Sequence, residues 1–317
     1  MPGLKVAAKP FIKSKFRALG TDINVQVVLD SKKEKSKARL DIERIKNIFK
    51  QKQRVFCRFN SRSELSKLNK NFGVFQRASA DMLYLAKRAL NYHRKSGGLY
   101  DPRTVEILEK IGYGRDFKKS DFSRVSAPRK LSKIGGSLNQ DLKIKDGRLL
   151  FKKRMDFSGI AKGYITDCAA KFLKKKGWKN FLINSGGDMY AAGLNHYGKK
   201  WEVPLEGVSK DKMTIKISNE GVATSGISRK KWQIKGKKFH HLINPKNPNR
   251  FSFEIQTVLV IDKSAEGADG QAKVLVLMGK ERGLKFSREN KIKSVFLDNC
   301  GNIFMSSMAR KHVSCIA

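Results

Sequence analysis

Residues 155–188, MDFSGIAKGYITDCAAKFLKKKGWKNFLINSGGD, constrain the fold more tightly than any other part of the chain. Ile160, Tyr164, Ile165, Cys168, Ala169, Phe172 and Leu173 recur at helical spacing and share one face, which predicts a helix from about 160 to 176. Gly177 can take the left-handed conformation that ends such a helix. A short strand running to Met155 and a second strand over 181–184 complete a unit of strand, turn, helix and strand. A helix N-terminus after small residues presents unpaired N–H groups and partial positive charge, which suits a phosphate, and Lys162 would add a full charge. A plain strand-to-helix turn accounts for Ser158-Gly159 equally well, and a tight hairpin for Gly186-Gly187 ahead of Asp188.

Elsewhere the periodicity is clear. Residues 23–28 (INVQVV) alternate as a strand, and 36–54 place Leu40, Ile42, Ile45, Ile48 and Phe49 at the spacing of an amphipathic helix. A helix over 79–95 has Ser79 as its N-cap and Gly97-Gly98 beyond its end, and 143–153 form a hairpin turning at Asp146-Gly147. From Trp201 strands dominate (WEVPLEG, MTIKIS, GVATSG, KWQIKG, TVLVID), until a helix over 268–278 opens at Asp269. The 317 residues suffice for one large or two modest domains, and there is no internal repeat or low-complexity linker. The expected class is α+β, with interleaved mixed sheets flanked by helices. The expected plan is a basic N-terminal extension over 1–15 and a domain over 16–310, with any division into two subdomains near 130–150.

With 68 Lys and Arg against 28 Asp and Glu, the net charge is +40. Such a field draws anions: nucleic acid, an acidic membrane surface, an acidic partner or a phosphorylated substrate. The basic residues are dispersed, with short runs at 32–37, 174–176, 229–231 and 235–238. No run alternates with aromatics as a single-strand platform does, and no zinc-finger or RNP pattern occurs, so the charge reads as solvated surface and a nucleic-acid partner is not expected. Cys57, Cys168, Cys300 and Cys315 have no CxxC spacing and are too few for a disulfide framework, which favours a reduced compartment. MPGLKVAAKPFIKSKF contains neither a signal-peptide core nor a cysteine placed for lipidation, and no window is apolar enough for a transmembrane segment. The location expected from the chain as written is cytoplasmic; a periplasmic or membrane-anchored protein would need a leader outside this sequence.

GADGQAK at 267–273 sets Asp269 four residues before Lys273. The helix dipole alone favours an acid near a helix start. A hard divalent ion on a pyrophosphate also takes one or two carboxylates with carbonyls and water, and Asp269 with the Gly159 carbonyl would supply such a set. His241, in HHLINP, reads as structural when viewed singly, and His240 faces solvent if the segment is extended.

Seven blocks in order carry a resemblance: LGTDINV (19–25), FCRFNSRSELSKLN (56–69), SGGLYDPRTVEIL (96–108), DFSGIAKGYITDCAAKFLKKKGWKNFLINSGGDMYAAG (156–193), VATSG (222–226), HLINP (241–245) and ADGQAKVLVLMG (268–279). Over roughly 16–280 the chain resembles the ApbE family of FAD:protein FMN transferases. The resemblance implies that FAD and Mg²⁺ bind, the pyrophosphate is cleaved, and FMN is joined through its phosphate to a Thr or Ser hydroxyl of a client flavoprotein, releasing AMP. It places Leu19, Phe59, Leu99, Tyr100, Asp101, Asp156 and Lys162 around FAD, and His241 near the transferring phosphate. It gives the metal to the Gly159 carbonyl, Asp269 and the side chain at 273, with Asp269 also helping to deprotonate the hydroxyl. The implied client motif is Asp-Gly-x-Ser/Thr-Gly-Ala-Ser/Thr, which this chain itself lacks.

The family commonly has Met at Leu19, Tyr at Phe59 and Phe at Tyr100, all tolerable exchanges, and Thr at Lys273, which is not. An ammonium has three donors and no acceptor, so Lys273 cannot be a ligand while charged. Three readings follow: Lys273 points aside and water completes the coordination; its ammonium replaces the ion; or the protein binds flavin without transferring it. The competing functions are therefore an FAD pyrophosphatase, a non-catalytic flavin-binding relative, and a basic anion- or nucleic-acid-binding protein whose binding weakens with salt.

Overall fold

The computed structural model describes residues 8–117, 120–126, 128–209 and 212–315 without the Cys315 side chain. Residues 1–7 of the expected extension lie outside the described residues. The chain opens with β1 (Phe11–Ala18), β2 (Thr21–Val28), α1 (Lys35–Phe56), α2 (Glu64–Leu68), β3 (Gln76–Arg77) and α3 (Ala80–Lys95). It continues through α4 (Val105–Lys110), α5 (Leu138–Asp141), β4 (Leu142–Lys145), β5 (Arg148–Phe151), α6 (Ser158–Lys175), β6 (Phe181–Ser185) and β7 (Asp188–Ala192). Six strands follow, β8 (Trp201–Pro204), β9 (Met213–Ile217), β10 (Glu220–Gly226), β11 (Lys231–Ile234), β12 (Lys237–His240) and β13 (Ile255–Asp262). The chain closes with α7 (Ala265–Met278), α8 (Lys280–Glu289), β14 (Lys293–Asp298), β15 (Ile303–Met305) and β16 (Val313–Cys315).

An eight-stranded sheet, β1-β2-β6-β7-β10-β13-β14-β15, is the spine. Its alternation sorts side chains onto two faces. Ile23, Val25, Val27, Phe181 and Ile183 pack with Ile42, Ile45 and Phe49 of α1 and Ile165, Ala169 and Leu173 of α6, while Val258, Val260 and Phe296 pack with Ala268, Ala272 and Leu275 of α7. Met189, Ala191, Val222, Leu259, Val295 and Leu297 face the other way, onto Val203 and Ile215 of the three-stranded sheet β16-β9-β8. The α+β class stands; among the described residues the strand pairings are antiparallel, so the mixture is of helices against sheets rather than of strand directions.

Several expectations are corrected. Residues 11–15, assigned to the extension, begin β1 and pair with β2 from Phe11 opposite Val28; Ile12 and Phe16 alternate inward with exposed lysines between them. Leu40, placed on the apolar face of α1, is 55% exposed, and its neighbour Asp41 is buried instead, accepting a hydrogen bond from Trp178 Nε1 at 3.0 Å. The strand expected to reach Met155 stops at Phe151, because the Met155 backbone is taken by the Asn69 side-chain amide at 2.8 and 2.9 Å. β5 belongs to the small sheet β3-β5-β4, so α6 links two sheets. α7 starts at Ala265, where Ser264 Oγ and the Asp167 carboxylate accept its first N–H groups, so Asp269 lies in the second turn rather than at the opening. The described residues contain no helix long and apolar enough to cross a membrane.

Candidate active site

Two helices come unusually close where α6 begins. A Cβ on Gly163 would lie 2.5 Å from the Ala265 carbonyl oxygen, so glycine is needed for α6 to rest on the first turn of α7. The approach brings Asp269 against α6, where its Oδ2 accepts the Gly163 N–H at 3.2 Å. Its Oδ1 is ion-paired with Lys273, one turn later on the same face. One turn into α6, Lys162 Nζ reaches Asp188 Oδ2 at 2.5 Å. Asp188 begins β7 after Gly186 and Gly187, both at positive φ, and a Cβ on Gly186 would clash with Thr21, which starts β2 just after the β1–β2 turn. Leu19 belongs to that turn, with φ +54° and its N–H on Gln53 Oε1 at 3.0 Å.

The resulting quartet, Lys162, Asp188, Asp269 and Lys273, alternates charge, its carboxylates buried and its ammoniums half-buried. Burial, with Asp188 nearby, pushes the Asp269 carboxyl up to about 6 against the pull of Lys273 and Lys162. Burial works against the Lys162 charge, but Asp188 and Asp269 outweigh it and hold its pKa above the ordinary lysine value. Gly159 is covered by Tyr100 and Lys273: a Cβ there would meet Tyr100 Cε2 at 3.0 Å and Lys273 Cδ at 3.5 Å. Burial, Asp156 and Asp269 keep the Tyr100 phenol protonated well beyond the usual range.

Three buried polar atoms of this region have no hydrogen-bond partner among the described residues: Asp188 Oδ1, Tyr100 Oη and His241 Nδ1. Burial, then the Lys230 and Lys273 charges, hold His241 neutral, with its pKa far below the ordinary histidine value. His240 is not solvent-facing as expected. It is 4% exposed because Phe251 and Phe253 pack edge-on against its ring, and it is saturated: Leu242 N–H donates to Nδ1 at 3.3 Å, and Nε2 pairs with the Ser252 carbonyl at 3.0 Å.

Asp156 takes the Ser158 N–H at 2.9 Å at the start of α6 and pairs with Arg58 Nε at 3.2 Å. The Arg58 guanidinium lies 4.3 Å from the Phe59 ring centre and 4.8 Å from that of Tyr113, whose hydroxyl accepts from Lys230 Nζ at 3.1 Å. Phe59 keeps 43% of its surface exposed. Leu99 is buried, and Asp101 is engaged by Arg103 through Nε, Nη2 and N–H, beside a cavity of about 330 Å³ lined by His93, Arg94 and Lys246. Asp188, Arg58, Tyr113 and Lys230 were not singled out from the sequence as site residues. The first closes the Ser-Gly-Gly-Asp turn and the second adjoins Phe59, whereas nothing local marks Tyr113 or Lys230.

The Mg²⁺ implied by the resemblance does not fit these side chains. Asp269 has one oxygen on the Lys273 ammonium and the other on the Gly163 N–H, and Lys273 does not point aside. Among the described residues no group of three or more His, Cys, Asp or Glu could hold a metal ion.

The profile of the ApbE family matches residues 19–296. Similar curated proteins include the FAD:protein FMN transferase of Vibrio cholerae, 28% identical over 73% of this chain and 71% of that protein. That of Haemophilus influenzae is 26% identical over 83% of this chain and 80% of its own length. Among solved structures, the flavin transferase ApbE from Vibrio cholerae superposes with a TM-score of 0.79 at 23% identity, covering 96% of this chain and 99% of that one. The ApbE protein from Thermotoga maritima gives 0.80 at 22% identity with the same coverage, and these likenesses establish the fold.

Proposed function

The chain belongs to the ApbE family, and on that premise we propose that it is a flavin transferase, which moves FMN from FAD onto a Ser or Thr hydroxyl of a client flavoprotein and releases AMP. The observation that carries the reading is the pair of half-buried ammoniums, Lys162 and Lys273, held on buried carboxylates at the N-terminal end of α6. Two cations suit a pyrophosphate, and phosphoryl-type transfer is mainly positioning and charge neutralisation.

The client hydroxyl oxygen attacks the phosphorus on the FMN side. The bond to the bridging oxygen breaks, its electron pair leaves on the AMP phosphate, and the hydroxyl proton passes to a base and then to solvent. Asp269, raised to about 6, is the base best matched to neutral pH, and neutral His241 with its open Nδ1 stands beside the same charges. Exposed Phe59, backed by Arg58, offers a flat face for the isoalloxazine ring. The client is expected to carry the Asp-Gly-x-Ser/Thr-Gly-Ala-Ser/Thr motif.

Incubation of the purified protein with FAD and a client domain bearing that motif tests the reading, with mass spectrometry for FMN addition and chromatography for AMP. An adduct with matching AMP is the expected result. AMP without adduct would make the protein an FAD pyrophosphatase, and bound FAD without AMP a flavin-binding relative.

A further inference from the structure

We propose that the Lys273 ammonium takes the place of a divalent cation, so that flavin transfer by this protein needs no divalent metal; the inference rests on the transferase reading above. The geometry gives Lys273 a fixed position. It sits four residues after Asp269 on α7, pairs with that carboxylate, and lays its aliphatic stem along Gly159 in the first turn of α6. A divalent ion bound by Asp269 would have to displace this ammonium and then remain beside it, with twice the repulsion of a unit charge at the same distance.

Hydrogen-bonding capacity around Gly159 leads to the same conclusion. Asp269 Oδ2 is committed to the Gly163 N–H, and Gly163 is held by the contact of α6 with Ala265. Among the described residues here the uncommitted carboxylate oxygen is Asp188 Oδ1, whereas the carboxylate that the resemblance gives to the metal, Asp269, has both oxygens taken. Donors, by contrast, are at hand: the Lys273 and Lys162 ammoniums and the Tyr100 hydroxyl, which is packed on Gly159 and has no partner among the described residues. A pocket rich in donors and poor in acceptors recognises the oxygens of a pyrophosphate directly. Lys273 thereby neutralises charge on the leaving AMP phosphate as the bridging bond breaks, with no bond or proton added to the step already written.

The test uses the purified chain stripped with EDTA, a motif-bearing client and FAD, with adduct and AMP measured in EDTA and in Mg²⁺. Binding of Mn²⁺ to the protein alone is followed in parallel by electron paramagnetic resonance. The wild type should give similar rates in both conditions and bind no stoichiometric Mn²⁺. The K273T variant should lose about 100-fold in EDTA, recover in Mg²⁺ and acquire one Mn²⁺ site, while K273R should keep its EDTA-resistant turnover. Wild-type activity abolished by EDTA and restored by Mg²⁺, or a stoichiometric Mn²⁺ site in the wild type, would overturn the proposal. If no variant forms adduct or AMP in either condition, the transferase reading fails, and Mn²⁺ binding alone then decides the inference: a site in the wild type sinks it, and a site confined to K273T supports it.

Discussion

Two buried charge clusters lie on the segments that the sequence marked, and they are finished differently. Around Arg103 the guanidinium donates to both oxygens of Asp101, to Asp141 Oδ2 at 2.6 Å and to the carbonyls of Gly135 and Gly136. The planar fork of arginine matches this set, and both carboxylates are satisfied. Around Lys162 and Lys273 the charges are balanced but the hydrogen bonds are not, since Asp188 Oδ1, Tyr100 Oη and His241 Nδ1 lack partners among the described residues. A protein seldom leaves buried polar atoms open in a structural network, because each costs desolvation without return. The difference separates acids whose hydrogen bonds are complete, Asp101 and Asp141, from a cluster that keeps polar atoms open among the described residues.

The largest effect that could break this comparison comes from Arg103→Ala. It would leave Asp101 and Asp141 buried without their cation, at a cost of about 4 kcal/mol in urea unfolding, while turnover per folded molecule stays unchanged. A rise in the KM for FAD at constant kcat would instead return Asp101 to the flavin. Lys162→Met should do the reverse at the other cluster, lowering adduct formation about 100-fold in kcat, as expected when one charge-stabilising donor is removed. A variant that melts early yet turns over normally would mean that Lys162 serves the fold.

Local signals suffice for much of the fold. The α1, α3 and α6 helices, the Ser79 cap and the β4–β5 hairpin depend on periodicity and turn chemistry within a few residues. Where the structure departs from the local pattern, long-range contacts are the cause. Met155 is withheld from a strand by Asn69, α7 gains a turn because Asp167 caps it, and His240 is buried by aromatic residues from the following loop. At the site, the acids and lysines were visible as residues, but the pairing of Lys162 with Asp188 and the meeting of Tyr100, Gly159 and Lys273 arise only when α6, β7 and α7 pack together.

The adjacent histidines sharpen the contrast on a smaller scale. His240 is saturated, and burial lowers its pKa to about 4. An unfolded histidine titrates near 6.5, so the unfolded chain binds the extra proton first as pH falls, and stability present above about 6.5 drains away down to about 4. The loss attributable to this one group is roughly 3 kcal/mol. Urea midpoints measured across that window should fall less steeply in His240→Gln than in the wild type; equal slopes would show that the ring is not the group responsible.

The finest test concerns a single oxygen. Tyr100 Oη is buried against Gly159 with no partner, so Tyr100→Phe removes a polar atom whose burial costs the free protein stability and should raise the unfolding free energy by about 1 kcal/mol. If the same hydroxyl donates to the pyrophosphate, the variant should also transfer flavin several-fold more slowly, because a hydrogen bond made only with substrate is lost. Opposite signs in stability and rate would be the signature of an atom kept open for a ligand. A variant that is less stable, with turnover unchanged, would show that the hydroxyl is satisfied within the free protein, and the distinction between finished and unfinished clusters would not extend to Tyr100.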